Sequence, residues 1–175
     1  MAGETVDPVL LAALSTLPHP ARVVAVYRTA DLPSGSREVA LELWRVSDPG
    51  NVGTLLRAAD AFGAAVALSP GCADPLGPKA LRASVGAVFR VPLVPFGQTS
   101  GERVALVPHG GQPLHELELA APVTFLLGAE REGLPEDLVA QSNYVATIAT
   151  PGAAESLNVA AAGAIALYEG SRRHS

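Results

Sequence analysis

The stretch ESLNVAAAGAIALY, residues 155–168, organises the fold that the sequence predicts. From residue 159 onward it is apolar on nearly every side, whereas a surface helix carries one apolar stripe, so we expect a helix that is buried on most sides. Ser156 is the expected N-cap, because its hydroxyl can accept a hydrogen bond from a free backbone N–H of the first turn. Exposed amides there also favour an electron-rich ligand group. The stretch therefore predicts a buried helix whose start can contribute to a binding site.

The composition of the 175 residues is that of one folded domain of ordinary size. Hydrophobic residues make up 49%, yet no uninterrupted apolar stretch approaches the roughly 20 residues of a membrane helix, so we expect a soluble protein without a membrane partner. Residues 1–8 lack a basic segment followed by an apolar block, so we expect no secretory signal, and the single Cys72 excludes an intramolecular disulfide framework. These observations predict a cytoplasmic location.

The net charge of −5 argues against a protein that grips nucleic acid by bulk electrostatics. Neutralising phosphates usually requires a basic face. A local basic patch remains compatible with this charge.

Strand-like and helix-like segments alternate along the chain. This alternation predicts an α/β fold, with a mostly parallel sheet covered by helices on both faces. The predicted strands are residues 21–27, 39–46, 64–68, 89–93, 104–107, 123–127 and 144–148, and the predicted helices are residues 10–14, 51–62, 79–85, 135–141 and the C-terminal stretch.

Parallel α/β sheets bind ligands at the carboxyl ends of their strands, so we expect the chemistry in the turns after residues 46, 127 and 148. Residues 128–133, GAEREG, follow a strand, but Glu130 stands where the dinucleotide fingerprint requires glycine, and no Lys-Ser/Thr pair follows as in a phosphate loop. His109 and His115 are too far apart for a helical metal pair. The sequence therefore predicts neither a nucleotide-phosphate loop nor a metal site.

Asn51, Gly53 and Arg57 form the positive signal. On a helix, Gly53 and Arg57 lie one turn apart on the same face, so the missing side chain of Gly53 is expected to leave room above the guanidinium, with Asn51 at the helix start. Alternatively, Arg57 is a surface arginine paired with Asp60.

Three ordered segments resemble the motifs of a known family: DPGNVGTLLRAADAFG at 48–63, FLLGAEREGLP at 125–135 and ESLNVAAAGAIALYE at 155–169. They are similar to the motifs of the SpoU-like (TrmH-type) RNA ribose methyltransferases of the SPOUT superfamily. The segment KALRASVGA at 79–87 also resembles the region between the family's first two motifs.

The resemblance implies a trefoil-knotted α/β fold, a homodimer and a bent S-adenosylmethionine cofactor without a metal. It implies a methyltransferase domain at 38–175, with 1–37 as a short N-terminal extension or the remnant of an RNA-binding domain. The implied cofactor-binding residues are Leu127, Gly128, Ala129, Thr147, Ile148, Ala149, Ser156 and Leu157. The family usually has Ile-Pro-Met where this chain has Ile148-Ala149-Thr150, which changes the rim of the implied pocket.

The implied reaction transfers a methyl group to a ribose 2′-hydroxyl of ribosomal or transfer RNA. The implied catalytic residues are Arg57, Asn51, Glu130, Ser156 and Asn158. An arginine with a pKa above about 12 is a reluctant base, so we expect Arg57 to engage the phosphate and ribose of the target, with acceptance of the proton left open. Glu130 either positions Arg57 or Asn51 or caps the helix start near residue 135.

Arg82 is the candidate for an arginine supplied by the partner chain. The alternative function is a SPOUT-like RNA-binding or cofactor-binding module with little or no catalysis. A small-molecule-binding α/β protein unrelated to RNA is a third hypothesis, which the absence of a nucleotide fingerprint weakens.

Overall fold

A computed structural model describes residues 5–14, 23–152 and 155–172. The chain forms two compact units, residues 1–31 and 32–175. The first unit contains helix α1 (Pro8–Leu14) and a 3-10 turn (Thr29–Asp31). Asp7 caps the start of α1, because its Oδ1 accepts a hydrogen bond of 2.7 Å from the backbone N–H of Val9.

The strand expected at residues 21–27 is wrong in the part that the structure describes. Residues 21 and 22 lie outside that part, and residues 23–28 run without regular secondary structure. Val26 is 96% exposed and Val23 81%. The β-branched residues indicate strand propensity, but such propensity produces a strand only where a neighbouring strand and a packed face are present.

The second unit contains a seven-stranded sheet in which every pairing between strands is parallel. The order is β3-β2-β1-β6-β4-β7-β5. The bounds are β1 (Val39–Leu43), β2 (Ala65–Leu68), β3 (Leu93–Pro95), β4 (Glu102–Leu106), β5 (Gln112–Pro113), β6 (Val123–Leu127) and β7 (Tyr144–Thr147). The helices are α2 (Pro49–Ala61), α3 (Pro78–Ser84), α4 (Glu136–Ala140) and α5 (Val159–Arg172), with 3-10 turns at Ala87–Phe89 and Leu114–Glu116. The parallel α/β prediction is confirmed.

The two central strands, β1 and β6, are buried along their whole length. Apart from Glu42 and Thr124 their side chains are apolar on both faces, which is the pattern of parallel sheets covered on both sides. The strand expected at 89–93 begins instead at Leu93. Residues 87–89 form a 3-10 turn that buries Val88 against the core without joining the sheet.

The helical face of the sheet is built around close contacts at glycine. Gly53 of α2 is buried, and a Cβ there would lie 2.6 Å from the carbonyl oxygen of Ala80 in α3. The expectation that Gly53 leaves room above Arg57 is therefore wrong, because α3 occupies that space. Gly163 of α5 likewise packs where a Cβ would collide with Leu55 of α2.

Within the single chain, helix α5 buries only one stripe of residues. The expectation that it is buried on most sides is therefore wrong for the single chain. The buried residues are Ala160, Gly163, Ala166, Leu167 and Gly170. On the outer side Ile165 is 38% exposed and Tyr168 54%. No helix within the described ranges is long and apolar enough to cross a membrane.

The opposite face of β1 is covered by a connection between strands. Leu41 points toward α5, so Glu42 points to the other face. Glu42 accepts hydrogen bonds there from the backbone N–H of Gly97 and the hydroxyl of Thr99. The segment between β3 and β4 therefore covers this side of β1.

Candidate functional site

A cavity of about 370 Å³ lies at the carboxyl ends of the strands. Four segments form it: the turn after β4, the turn after β6, the segment after β7 and the start of α5. The lining residues are Leu106, Val107, Pro108, Leu127, Gly128, Ala129, Glu130, Arg131, Gly133, Ile148, Thr150, Glu155, Ser156, Leu157, Asn158, Val159 and Ala162. The cavity therefore lies at the end of the sheet where parallel α/β proteins bind ligands, the carboxyl ends of the strands.

Most residues expected to bind a cofactor meet in this cavity. Those that line it are Leu127, Gly128, Ala129, Ile148, Ser156 and Leu157. Thr147 and Ala149 do not line it. The hydroxyl of Thr147 instead accepts a hydrogen bond of 3.0 Å from the backbone N–H of Gly111, and Ala149 is exposed.

The turn after β6 is held by its own backbone. Ala129 and Gly133 exchange backbone hydrogen bonds of 3.2 and 3.0 Å, which fold residues 128–133 into a tight loop. Gly133 has a φ of +69°, a conformation that glycine adopts at little cost. A Cβ at Gly128 would run into the backbone of Gly133 and Leu134, so glycine at 128 lets the loop close on itself and fixes one wall of the cavity.

Glu130, Asn51 and Asn158 form a hydrogen-bonded chain across the cavity mouth. Asn51 donates from Nδ2 to Oε1 of Glu130 at 3.0 Å, and Asn158 donates from Nδ2 to Oδ1 of Asn51 at 3.1 Å. The three residues come from the three separate motifs of the sequence. The structure therefore brings together side chains that lie up to 107 positions apart in the chain.

Glu130 also holds the start of α2. Its carboxylate accepts hydrogen bonds of 3.3 Å from the backbone N–H groups of Ser47 and Asp48. Partial burial raises the pKa of Glu130, but the hydrogen bonds from Asn51 and the backbone outweigh it and lower the pKa from its ordinary value of 4.5. Glu130 is therefore ionised at neutral pH. Its contacts are with α2, and the alternative role of capping the helix near residue 135 is not observed.

Asn158 caps α5. Its Oδ1 accepts hydrogen bonds of 2.9 and 3.3 Å from the backbone N–H groups of Ala160 and Ala161. The expectation that Ser156 is the cap is wrong, because the helix begins at Val159 and Ser156 lies too far before it. Ser156 lines the cavity instead.

Arg57 lies outside this chain of hydrogen bonds. It is exposed on α2, does not line the cavity and, among the described residues, has no hydrogen bond or ion pair. The alternative pairing with Asp60 is not formed, since Asp60 binds Arg90 at 2.6 Å. Arg82 is likewise exposed, on α3. The guanidinium of Arg57 is thus available to an external ligand.

Sequence reasoning missed one wall of the cavity and one of its charges. Residues 106–108 form the carboxyl end of β4 and the turn after it. The same expectation, that ligands bind at the carboxyl ends of parallel strands, would have found them had it been applied to β4. The charge is Arg131, which stands beside Glu130. No group of three or more His, Cys, Asp or Glu residues in the described part of the chain is placed to hold a metal ion.

Together, the sheet order, the cavity at the carboxyl edge and the hydrogen-bonded chain define a parallel α/β protein with a ligand site built from three sequence motifs. The chain belongs to the SpoU rRNA Methylase family, whose sequence model matches residues 38–168.

The chain is similar to several proteins of known name. It is 32% identical to the 23S rRNA (guanosine(2553)-2′-O)-methyltransferase RlmP of Bacillus subtilis, over 85% of this chain and 64% of that protein. An AdoMet-bound rRNA methyltransferase from Sinorhizobium meliloti superposes with a TM-score of 0.72 and 34% identity, over 82% of this chain and 59% of the other. A TrmH-family structure from Porphyromonas gingivalis gives a TM-score of 0.82 and 33% identity, over 98% and 73%.

The first of the curated relatives are longer proteins. The chain spans 65%, 64% and 50% of the length of three of them.

Proposed function

We propose that this chain is an S-adenosylmethionine-dependent RNA methyltransferase that methylates a ribose 2′-hydroxyl of ribosomal or transfer RNA. The observation that carries the proposal is the hydrogen-bonded chain from Glu130 through Asn51 to Asn158 at the mouth of the cavity. It joins one polar side chain from each of the three motifs, and neither the hydrophobic core nor the sheet requires these side chains. The relatives named as rRNA 2′-O-methyltransferases support the choice of reaction.

The cavity residues fit the cofactor by size and chemistry. A volume of about 370 Å³ falls in the range of small-molecule sites, which run from about 300 to 1,000 Å³. Leu106, Leu127, Ile148 and Leu157 offer apolar surface to an adenine ring, and the turns after the strands offer backbone N–H and C=O groups. When bound, S-adenosylmethionine supplies a methyl group carried on a positively charged sulfur.

The polar residues at the mouth would arrange the ribose. The hydroxyl is a weak nucleophile near neutral pH, so it must lose its proton and be aligned with the methyl carbon and the sulfur. Glu130 and Asn158 hold Asn51 from both sides, which fixes its amide beside the cavity. Ser156 lines the cavity and offers a further hydroxyl to the ligands.

Arg57 would contact the RNA. Its exposed guanidinium matches a phosphate, which it can bind through two parallel hydrogen bonds. Bound RNA would then place a phosphate on α2, with the neighbouring ribose toward the cavity. Arg57 thereby orients the substrate.

Two features of assembly belong to the same proposal. We propose a homodimer whose interface includes the outer face of α5, supported by the exposure of Ile165 and Tyr168 on a helix of apolar composition. A dimer would bury this face and could bring a partner arginine such as Arg82 near the site. A single-chain mass by light scattering at micromolar concentration would contradict the dimer.

We also propose that the C-terminal segment is threaded as a trefoil knot within a methyltransferase domain at 38–175. In support, α5 packs over β1 and β6, although β7 lies two strands beyond β6 in the sheet. The segments after β6 and β7 also line one cavity. An experimental backbone trace in which the connection from β7 to α5 passes outside the loop after β6 would contradict the knot.

Ribosomal and transfer RNA as substrates are in accord with a cytoplasmic location.

The decisive experiment measures transfer of a labelled methyl group from the cofactor to ribosomal and transfer RNA. We expect 2′-O-methylated RNA from the wild type and at least a hundredfold lower rate from Arg57→Ala, since loss of a positioning group costs about that much. Arg37→Ala is the matched control. Arg37 is exposed just before β1, at the amino-terminal ends of the parallel strands and so away from the cavity at their carboxyl ends. A wild type that binds cofactor but methylates no RNA would favour the binding-module alternative.

A further inference from the structure

The cavity carries two charged side chains that the hydrogen-bonded chain of the site leaves unused. Arg131 and Glu155 both line it, together with Glu130. Glu130 already accepts from Asn51 and two backbone amides. Within the described part of the chain, neither Arg131 nor Glu155 has a hydrogen bond or an ion pair. One positive and one negative group are therefore available to a ligand.

These two charges come from different walls of the cavity. Arg131 lies in the turn after β6, and Glu155 lies in the segment that leads from β7 into α5. Among the described lining residues, Arg131 is the one cation, and the remaining surface is mostly apolar. A ligand with an apolar body, a carboxylate and an ammonium group would match this lining.

We propose that Arg131 and Glu155 bind the amino-acid end of S-adenosylmethionine. Arg131 binds its carboxylate, because a guanidinium pairs with a carboxylate through two parallel hydrogen bonds. Glu155 binds its ammonium group, which carries donors only. This inference rests on the proposed function, which places the cofactor in this cavity. The two residues make the site specific for nucleosides that carry an amino-acid tail.

Isothermal titration with four ligands tests the assignment. S-adenosylmethionine and S-adenosylhomocysteine both carry the carboxylate and the ammonium group, decarboxylated S-adenosylmethionine lacks the carboxylate, and 5′-methylthioadenosine lacks both. The homocysteine compound also lacks the charge on sulfur. It therefore separates binding of the ammonium group from binding of the sulfonium.

We expect Arg131→Gln to weaken the two ligands with a carboxylate by about tenfold, the usual scale for a lost hydrogen bond to a charged group. Its affinity for decarboxylated S-adenosylmethionine and for methylthioadenosine should equal that of the wild type. Arg131→Lys keeps the charge but not the two-pronged geometry, so it should restore part of the affinity.

Glu155→Gln should weaken all three ligands that carry the ammonium group, by several-fold, and leave methylthioadenosine unchanged. Arg37→Gln and Glu38→Gln are the matched controls, since both residues are exposed before β1, away from the cavity. Both cavity residues are exposed as well, so thermal unfolding should show every variant as stable as the wild type.

A wild type that binds none of the ligands overturns the proposed function and this inference together. If the wild type binds S-adenosylmethionine but Arg131→Gln weakens the carboxylate-bearing and decarboxylated ligands equally, only this inference fails. It also fails if Arg131→Gln lowers affinity for RNA while every cofactor analogue binds as before. In that event Arg131 contacts the nucleic acid.

Discussion

Two glutamates, Glu42 and Glu130, each accept three hydrogen bonds from the chain, yet their surroundings are opposite. Glu42 lies in β1 with its side chain 0% exposed, and its partners are Gly97, Thr99 and Arg103 at 2.7 to 2.8 Å. Glu42 and Arg103 thus form a largely buried ion pair beneath the connection from β3 to β4.

Glu130 lies at the cavity mouth and is exposed. Its partners are the backbone of Ser47 and Asp48 and the side chain of Asn51, at 3.0 to 3.3 Å. Water can replace any of these partners, so the bonds add little to the free energy of folding and mainly orient Asn51.

The difference separates a carboxylate that supports the fold from one that arranges a site. A buried charge that loses its partner cannot be solvated, so its network behaves as a unit. An exposed carboxylate can be changed with little loss of stability, and the change appears in ligand binding. The predictions below test this contrast.

The largest effect is expected from Glu42→Ala. The substitution removes the carboxylate that pairs with Arg103, whose side chain is only 24% exposed. It also removes the acceptor for the backbone N–H of Gly97. Breaking a buried pair costs about 3 to 5 kcal/mol, so urea unfolding should show a loss of that size.

Glu38→Ala is the control for that measurement, since Glu38 is exposed one residue before β1, and it should change stability by less than about 0.5 kcal/mol. If Glu42→Ala does not fold, Glu42→Gln keeps the shape and should still be clearly less stable than the wild type. A Glu42→Gln protein as stable as the wild type would mean that the buried charge does not support the fold.

A smaller effect is expected from Asn158→Ala, which removes the cap of α5 and the bond to Asn51. Loss of a helix cap costs about 1 kcal/mol. Asn158→Asp keeps the cap acceptor but loses the donor to Asn51, so it should retain stability and still bind cofactor more weakly. Ser156→Ala should leave the unfolding free energy unchanged, since Ser156 does not cap the helix; a loss equal to that of Asn158→Ala would refute the assignment.

Strand β6 and the cavity lining illustrate what the sequence could predict. Strand β6 runs over 123–127 as expected, because a run that is apolar except for Thr124 and is bounded by Pro122 and Gly128 signals a buried parallel strand through local pattern alone. Most of the cavity lining followed from strand ends and motif order. Strand β5 was missed because two residues, Gln112 and Pro113, carry no pattern.

The partners within the site could not be predicted in the same way. Asn51 and Glu130 are 79 positions apart, and only tertiary packing decides which donor meets which acceptor. The same holds for Gly53, whose role is contact with α3. Local propensity also cannot tell that residues 23–27 have no strand beside them in the described structure, since a strand depends on its neighbour.

The smallest effect, and the sharpest test of the contrast, is the pH dependence of Glu130→Gln. The pKa of Glu130 is lowered in the folded protein, so the carboxylate contributes stability above its ordinary value of 4.5, and loses that contribution as pH falls through the lowered pKa. After screening by solvent, the difference in unfolding free energy between wild type and variant should be less than about 1 kcal/mol at pH 7.

That difference should shrink as the pH falls from 4.5 toward the lowered pKa of Glu130, because the protonated carboxyl no longer accepts from Ser47, Asp48 and Asn51 together. Subtracting the variant from the wild type at each pH removes the titration of every other group. A difference that grows on acidification would have the wrong sign and refute the lowered pKa. A difference of several kcal/mol at pH 7 would place Glu130 with Glu42 as a support of the fold, and the contrast between the two carboxylates would be lost.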